Sequence, residues 1–539
     1  MSSSSGRRVN FIRRRGRQVG RESSLRGIAA GALRVGCPRV VVTETSRGAG
    51  CRHVAPSPRD YSRRRPETTV LHKVVRDNLE TLLAECSSRS ASGLGYPAHV
   101  EAEFRRYLDC GVLSRGFVKV HCASCNQDEL CAFSCKGRAV CPSCAGRRMS
   151  DTAARLVDER LPSFAGYRQW VFSFPWRLRV PLARDPTLLA EVFQLCIRKV
   201  FAHQRKKAKA QGIAPAECKS LAVLFVQRFG SLLQLNPHGH SVVADGVFVR
   251  TDDGDLRYVE LEPPTDAEVE AVGVAIARGL ERIVARRAEM SDADDDEDAA
   301  MDHALSEAAS PRRASRPPSG DAQRKRTPRS ALIQTELGMV SIHAATQVGA
   351  GDSAGLERLL KYCGRPAFAQ NRLSLLSGGR VRYKLRKPYF TGQTEVVLEP
   401  VAFLRRLAAL VPPARQNQVR YFGLLTSQAA DRPAFLRLCS GSGERDSSSE
   451  VAGAVDPDDE LPGNRMSYRM SWARLLSRVF SHDILVCPGC GGDRQIVAAV
   501  IDHDAIVRVL THLDLPTDDY PVAPARSPPQ TQMWDEGFE

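Results

Sequence analysis

The chain has 539 residues, of which 42% are hydrophobic, so it is long enough for several domains with their own cores. It contains no run of 18 uncharged apolar residues and no convincing signal peptide, so we expect a cytoplasmic protein without a membrane span. The net charge is +16, but residues 1–65, with 16 arginines and three acids, supply 13 of those charges. The charge alone therefore does not identify a nucleic-acid enzyme.

The N-terminal segment, residues 1–65, is predicted to be a basic disordered arm, because it is rich in arginine and serine and has no sustained hydrophobic period. Such an arm either binds DNA phosphates without sequence preference or has no function. Residues 70–86 then have apolar positions at helical spacing, which predicts an amphipathic helix. We assign residues 66–155 to a module of helix and clustered cysteines.

Six of the 16 cysteines lie in one segment that begins and ends with a C-x-x-C pair. This spacing, in a chain without an export signal, is typical of zinc knuckles rather than of disulfides. Because four thiolates leave no open position for a substrate, such a zinc ion is structural. We predict one zinc ion held by both pairs, namely Cys122, Cys125, Cys141 and Cys144. Cys131 and Cys135 are either substitute ligands or spare thiols.

Residues 156–430 are predicted to form an α+β domain built on an antiparallel sheet. The segment 186–210 has the apolar stripe of a long helix, and its basic C-terminal end suits the helix dipole. The apolar strand 221–230 is followed by a turn and by the strand-like segment 234–250, which predicts an antiparallel hairpin. Residues 287–332, an acidic run followed by a basic Pro/Ser run, are predicted to be a disordered insertion.

A pair of histidines lies in the second half of that hairpin, in "LQLNPHGHSVVADGVFV". Residues two apart in a strand point to the same face, so His238 and His240 project side by side. Two converging neutral imidazoles suit a metal ion. The alternative is a pair of strand histidines that face water.

The helix predicted for "SAGLERLLKYC" places Tyr362 at the edge of its buried stripe. Arg358 and Arg365 flank this tyrosine on the polar side, and guanidinium groups there are placed to meet a phosphate. The alternative is an ordinary half-buried tyrosine.

The last part of the chain is predicted to be a linker over 431–466 and a small C-terminal unit over 467–539 that ends in a disordered tail. Cys487 and Cys490 form half of a zinc site in that unit. His482 or His503 are candidate partners for this pair.

Five blocks in order resemble a known family: "FSCKGRAVCPSCAGRRM", "VQRFGSLLQLNPHGHSVVADGVF", "LERLLKYCGRPAFAQNRLSL", "KPYFTGQTEVVLEPVAFLRRLAALVPPARQNQVRYFG" and "WARLLSRVFSHDILVCPGCGG". The series resembles the rolling-circle transposases with a His-hydrophobic-His signature, the insertion-sequence ninety-one family and its common-region relatives. The resemblance runs from about residue 66 to 515.

The resemblance implies a nuclease core of the His-hydrophobic-His type that nicks and rejoins single-stranded DNA at the ends of a mobile element, within a bacterial-type cytoplasm. His238 and His240 match the pair that holds a divalent cation, Mg²⁺ or Mn²⁺, and Tyr362 matches the nucleophile that forms a 5′-phosphotyrosine. The spacing of residues around the histidine pair does not identify the third metal ligand. His343 is the first candidate and Asp245 the second.

Arg358, Lys361 and Arg365 are the candidate DNA contacts around this tyrosine. Arg358 occupies the place of a second tyrosine in two-tyrosine members, so the chain resembles either a single-tyrosine member or a decayed copy. Gly239 replaces a residue that is usually bulky and apolar, which we interpret as a loosened strand with nothing packed behind the histidines. The competing function is an inactive, zinc-containing DNA-binding relative.

Overall fold

The structure is a computed structural model that describes residues 65–89, 95–289, 299–309, 328–389, 392–441, 486–487, 489–518 and 520–526. The predicted basic arm, most of the predicted insertion and His482 lie outside the described residues. No helix in these ranges is long and apolar enough to cross a membrane.

The helices are α1 (Val70–Arg89), α2 (Ala98–Leu108), α3 (Pro142–Arg155), α4 (Arg179–Arg184), α5 (Pro186–Ala210), α6 (Asp266–Glu289), α7 (Ala299–Ala309), α8 (Ser353–Cys363), α9 (Pro400–Leu410), α10 (Arg432–Gly441) and α11 (His503–His512). The strands are β1 (Phe117–Cys122), β2 (Gln127–Ala132), β3 (Tyr167–Ser173), β4 (Leu221–Phe229), β5 (Leu235–Ala244), β6 (Gly246–Arg250), β7 (Leu256–Glu260), β8 (Ser330–Thr335), β9 (Gly338–His343), β10 (Gln347–Val348), β11 (Leu373–Leu375), β12 (Val381–Lys384), β13 (Glu395–Leu398), β14 (Val419–Gly423) and β15 (Arg494–Val500).

A seven-stranded antiparallel sheet forms the centre of the molecule, with the strand order β14-β4-β5-β3-β9-β8 and with β10 paired to β3. The predicted hairpin of β4 and β5 is confirmed. The histidine strand β5 thus lies between two partners, and its backbone groups are held on both sides. The α+β class predicted from the sequence is confirmed in this mixture of helices and antiparallel strands.

Helices cover both faces of this sheet, which is why β4 is apolar along nearly all of its length rather than in alternation. On one face α5 and α6 pack against alternate strand residues such as Leu224 and Phe172. On the other face α3 and α8 pack against Val223 and Phe225. The even-numbered and odd-numbered residues of β4 therefore face different helix layers.

A second, three-stranded antiparallel sheet has the order β15-β1-β2. Strand β15 comes from the predicted C-terminal unit, whereas β1 and β2 come from the cysteine module. Helix α11 packs its Ile506 and Leu510 against Leu113 and Phe117 of the same module. The C-terminal part is therefore joined to the N-terminal module through β15 and α11.

Two helices lie in segments that we predicted to be irregular. Helix α7 falls within the predicted insertion 287–332, and its Met301 and Leu305 are buried in the core shared with α1 and α9. Helix α10 occupies the start of the predicted linker 431–466, where Phe435 is fully buried. In both segments a short apolar stripe at helical spacing outweighs the flanking acidic, Pro-rich or Ser-rich composition.

Candidate active site and metal centres

The two histidines of β5 lie side by side on the face of the sheet that α8 covers. The centroids of the His238 and His240 rings are 5.0 Å apart, and both side chains are buried. Tyr362, near the C-terminal end of α8, meets the His240 ring edge-on, with 5.6 Å between the ring centroids. The structure therefore brings together the three residues that the sequence singled out.

Tyr362 is accessible from solvent while its helix is anchored. The side chain of Tyr362 is 41% exposed, whereas Leu359, Leu360 and Cys363 of the same helix are buried. Asp352 caps the N-terminus of α8, since its Oδ1 accepts a hydrogen bond of 2.7 Å from the Gly355 amide. The nucleophile candidate thus projects from a fixed helix toward an open side of the site.

The protonation state of the histidines suits a metal. Burial lowers the pKa of His238 to about 4, and burial, His238 and Arg365 lower the pKa of His240 to about 3. Both rings are therefore neutral at pH 7. His238 donates its Nδ1 proton to the Asn236 carbonyl at 2.8 Å, which leaves the lone pair on its Nε2.

Two buried glutamines hold this arrangement against α8. The Gln169 amide lies 2.9 Å from Nδ1 of His240 and 3.1 Å from Sγ of Cys363. The amide nitrogen of Gln169 makes both contacts, so it donates to Nδ1 and the ring proton of His240 lies on Nε2. Metal binding through Nε2 would require this amide to turn by 180°, so that its oxygen accepts the proton at Nδ1. Gln227 donates to the carbonyl oxygens of Tyr362 and Cys363, at 3.3 Å and 2.6 Å.

Two polar atoms at the centre of the site lack a partner among the described residues. Nε2 of His240 and Oε1 of Gln227 are both buried and make no hydrogen bond there. Gln227 pairs with His238 across β4 and β5, so their Cβ atoms are about 5 Å apart on the same face. An imidazole nitrogen and an amide oxygen without partners, on neighbouring strands and on the same face of the sheet, are of the kinds that a divalent cation binds. Sequence reasoning missed Gln227, although its place in the hairpin opposite His238 was a usable signal.

The two candidates for a third metal ligand lie elsewhere. His343 is on β9, and Val171 of the intervening strand β3 pairs with both His240 and His343. Two strand spacings separate these histidines by about 10 Å, and no group of three ligands in the described ranges contains them. Both carboxylate oxygens of Asp245 accept from the buried Arg168 at 2.9 Å, so this carboxylate is already paired.

The predicted DNA contacts differ in their surroundings. The guanidinium of Arg365 lies 5.1 Å from the centroid of the Tyr362 ring and 5.5 Å from that of Phe229. Arg358 is one helical turn before Tyr362, and its side chain is 73% exposed. Lys361 pairs with Glu357 at 2.7 Å on the outer surface of α8. Arg365 is thus the cation next to the tyrosine, while the other two face solvent.

Gly239 faces away from the metal side and is tightly packed. A Cβ at this position would overlap the ring of Phe193 on α5 and would lie 2.9 Å from Cδ1 of Leu224. Phe193 itself is fully buried. The interpretation that nothing packs behind the histidines is therefore wrong, because the Phe193 ring occupies the space that a bulky residue at position 239 would fill.

Two groups of four cysteines lie in the described residues, and neither is the set that we predicted. The first cysteine cluster consists of Cys110, Cys135, Cys141 and Cys144, and the second cysteine cluster consists of Cys122, Cys125, Cys487 and Cys490. Each predicted C-x-x-C pair thus belongs to a different cluster, and the expected single site is corrected to two. The cause is that one pair lies at the tip of the β1–β2 hairpin and the other at the start of α3.

The distances in both clusters fit a tetrahedral metal. In the first cluster the sulfur of Cys144 is 3.6 Å from that of Cys110 and 3.5 Å from that of Cys135, and all four sulfurs lie within 4.8 Å of one another. In the second cluster the sulfurs of Cys122–Cys490 and of Cys125–Cys487 are 3.5 Å apart. Four thiolates at a zinc–sulfur distance of about 2.3 Å would be about 3.8 Å from one another. The partners of Cys487 and Cys490 are therefore cysteines rather than the histidines that we considered. Cys131 belongs to neither cluster, and burial raises the pKa of its thiol to about 12.

Comparison with known families agrees with this organisation. A family model described as transposase zinc-binding domain matches residues 82–174, and a family model described as putative transposase matches residues 222–432. The second match contains both histidines and Tyr362, and the first contains six of the eight clustered cysteines. Searches of curated proteins and of solved structures gave no match.

Both matches are to transposases, so the chain is a transposase with a zinc-binding domain in its N-terminal part. The zinc-binding model is that of the insertion-sequence ninety-one type, so the match is to the family that the ordered motifs predicted. The cysteine clusters support structural zinc in this protein.

Proposed function

We propose that this transposase cuts and rejoins single-stranded DNA at the ends of its element by transesterification, with Tyr362 as the nucleophile. The observation that carries the proposal is the meeting of Tyr362 with the histidine pair. These residues are more than 120 positions apart in the chain, yet the Tyr362 and His240 ring centroids are 5.6 Å apart. In a bacterial-type cell such a reaction would take place in the cytoplasm, the compartment that contains the DNA.

In the forward step the phenolic oxygen of Tyr362 attacks the scissile phosphorus. The bond from phosphorus to the 3′ oxygen breaks, and the proton lost by the phenol is balanced by the one that the leaving 3′ hydroxyl gains. The 5′ phosphate stays on Tyr362. In the reverse step another 3′ hydroxyl attacks this phosphotyrosine, so strands are rejoined without ATP.

The buried histidines supply neutral nitrogen ligands at the point of attack. A divalent cation held there would polarise a phosphate oxygen. We propose Gln227 as the third ligand, in place of His343, because its amide oxygen has no partner in the ranges that the structure describes and its amide nitrogen donates to the backbone of Tyr362. The same residue would thereby fix the distance between the phosphate and the nucleophile.

Three cations would contact the DNA with different roles. Arg365, against the Tyr362 ring, is the candidate for neutralising charge at the scissile phosphate. Arg358 and Lys361 lie on the outer surface of α8, where they would contact phosphates further along the strand.

The nucleophile is tested with oligonucleotides from the element's ends, incubated with the full chain and Mg²⁺ or Mn²⁺. A covalent protein–DNA adduct should form, and Tyr362→Phe should abolish it while leaving DNA binding nearly unchanged, since one oxygen is removed. Tyr421→Phe is the matched control, because Tyr421 is similarly exposed but lies on the edge strand β14. An adduct that persists in Tyr362→Phe, or wild-type protein that binds DNA without forming one, would overturn the proposal.

The metal site is tested by Mn²⁺ binding to zinc-loaded protein without DNA. His240→Ala should abolish the binding. Gln227→Ala should weaken it by more than the roughly 10- to 100-fold that the loss of an outer-shell partner costs. Gln169→Ala is the matched control, since this buried glutamine contacts His240 and Cys363 through its amide nitrogen. Equal losses in the two glutamine variants would exclude Gln227 as a ligand.

A further inference from the structure

A small cleft runs between the zinc-binding module and the candidate active site. One wall is formed by α3, with Arg148, Met149 and Thr152, and the opposite wall includes Phe225, Arg365 and Gln418. Its volume is about 100 Å³. Sites that enclose a whole small molecule have about 300–1,000 Å³. The cleft is thus of a size for one part of a larger ligand.

The cleft begins where the nucleophile's helix ends. Gly364 and Arg365, directly after α8, belong to its lining. Arg365 also lies against the ring of Tyr362. A group that fills the cleft would therefore lie beside the guanidinium that contacts the Tyr362 ring.

The walls combine apolar surface with unpartnered donors. Phe225, Phe229 and Met149 supply apolar and aromatic surface. Nε of Arg365 and Nε2 of Gln418 are buried N–H groups without a hydrogen-bond partner in the part of the chain that the structure describes. Burial of a donor without an acceptor is costly, so an acceptor-bearing ligand is favoured there.

These features fit a nucleobase better than a phosphate. A base offers flat apolar faces and acceptors on its edge, such as N7 and O6 of guanine. The half-buried guanidinium of Arg138 in the same lining is occupied, since it donates to the carbonyl oxygens of Pro412, Pro413 and Gln416. The guanidinium groups of Arg148 and Arg365, which keep donors free in the described part of the chain, would meet the phosphates that flank such a base.

We propose that the cleft holds one base of the single-stranded DNA, next to the scissile phosphate, so that α3 of the zinc-binding module forms a wall of the DNA site. This inference rests on the proposed function. The first cysteine cluster anchors the wall, because Cys141 caps the N-terminus of α3 and Cys144 lies in its first turn. Zinc in that cluster would therefore set the width of the cleft.

The test is an abasic scan of a cleavable oligonucleotide, with binding measured on Tyr362→Phe protein so that cleavage does not interfere. One position beside the scissile phosphate should lose about five- to 150-fold in affinity when its base is removed, the range for one stacked base. Ala145→Leu, which narrows the cleft from the α3 side, should weaken binding of the intact oligonucleotide. In this variant, removal of the base at that position should no longer lower the affinity.

Gly146→Leu is the matched control, since a Cβ at Gly146 meets no atom within 4 Å and the residue does not line the cleft. Zinc content and the unfolding midpoint of each variant report whether the module is intact. A flat abasic scan, or an abasic effect that survives in Ala145→Leu, overturns the inference. Such results would leave adduct formation in the wild type, and therefore the proposed function, untouched.

Discussion

The substitution Gly239→Leu examines the packing behind the histidine pair. By analogy with relatives that have a bulky residue there, this change would be harmless or beneficial. The structure predicts the opposite. A Cβ at position 239 overlaps the Phe193 ring, which is fully buried in the close-packed core between α5 and the sheet.

The expected cost follows from these contacts. Overpacking a well-filled core costs about 1–3 kcal/mol, and leucine adds a whole side chain, so we expect the upper part of that range. Phe193→Ala alone should cost about 3–5 kcal/mol, because it leaves a cavity between α5 and β5. In the double variant the leucine fills that cavity. The combined loss should therefore be smaller than the sum by about 1–3 kcal/mol.

The assay is chemical denaturation of zinc-loaded wild type, both single variants and the double variant, read alongside adduct formation with Mn²⁺. Gly239→Leu should lower stability and adduct yield together, since a shifted β5 displaces both histidines, and the double variant should recover part of each. Additive losses, or a Gly239→Leu protein as stable and active as the wild type, would show that Phe193 does not occupy this space as described.

Three further predictions concern zinc, pH and the N-terminal arm. Metal analysis should find two zinc ions per chain in the wild type. Cys487→Ser should bind one zinc ion and Cys131→Ser should bind two, because only Cys487 belongs to a cluster. Burial holds the pKa of His238 near 4 and that of His240 near 3, below the usual 6.5, so both histidines take up protons on unfolding. Their neutral state therefore costs no stability above pH 6.5, and stability falls as the pH drops from 6.5 toward 4, by up to about 1.4 kcal/mol per pH unit for each histidine. The unfolding midpoint should fall less steeply in this window in His240→Gln, and an equal slope would contradict the assignment. Deletion of residues 1–60 should leave adduct formation intact while weakening salt-sensitive DNA binding, and a folded truncation that no longer nicks DNA would place the arm in the active site.

The sequence predicted those features that depend on local pattern. The helical stripe of α8 and the alternation in β5 are properties of short segments, so the places of Tyr362 and His240 on their elements could be derived before their distance was known. Their meeting depends on how α8 packs on the sheet, and only the resemblance to a family anticipated it.

Features set by partners distant in the chain could not be derived in this way. Cys125 and Cys487 are 362 positions apart, and no spacing rule connects them. Equal C-x-x-C pairs are chemically interchangeable in a sequence, so proximity in the chain predicts a single site from Cys122, Cys125, Cys141 and Cys144. The packing at Gly239 could not be derived either, because Phe193, which fills the space beside it, lies on a different element.

The second cysteine cluster also imposes an order on the synthesis of this protein. Cys122 and Cys125 leave the ribosome early, but their partners follow only after the whole catalytic sheet has been translated. At about 5–20 residues per second, the 362 positions from Cys125 to Cys487 take about 20–70 s. During that interval β1 can pair with β2 but not with β15. The thiols of Cys122 and Cys125 lack the two cysteines that complete the second cysteine cluster. A product terminated before Cys487 would carry every residue of the candidate active site on a module whose second cluster can never close.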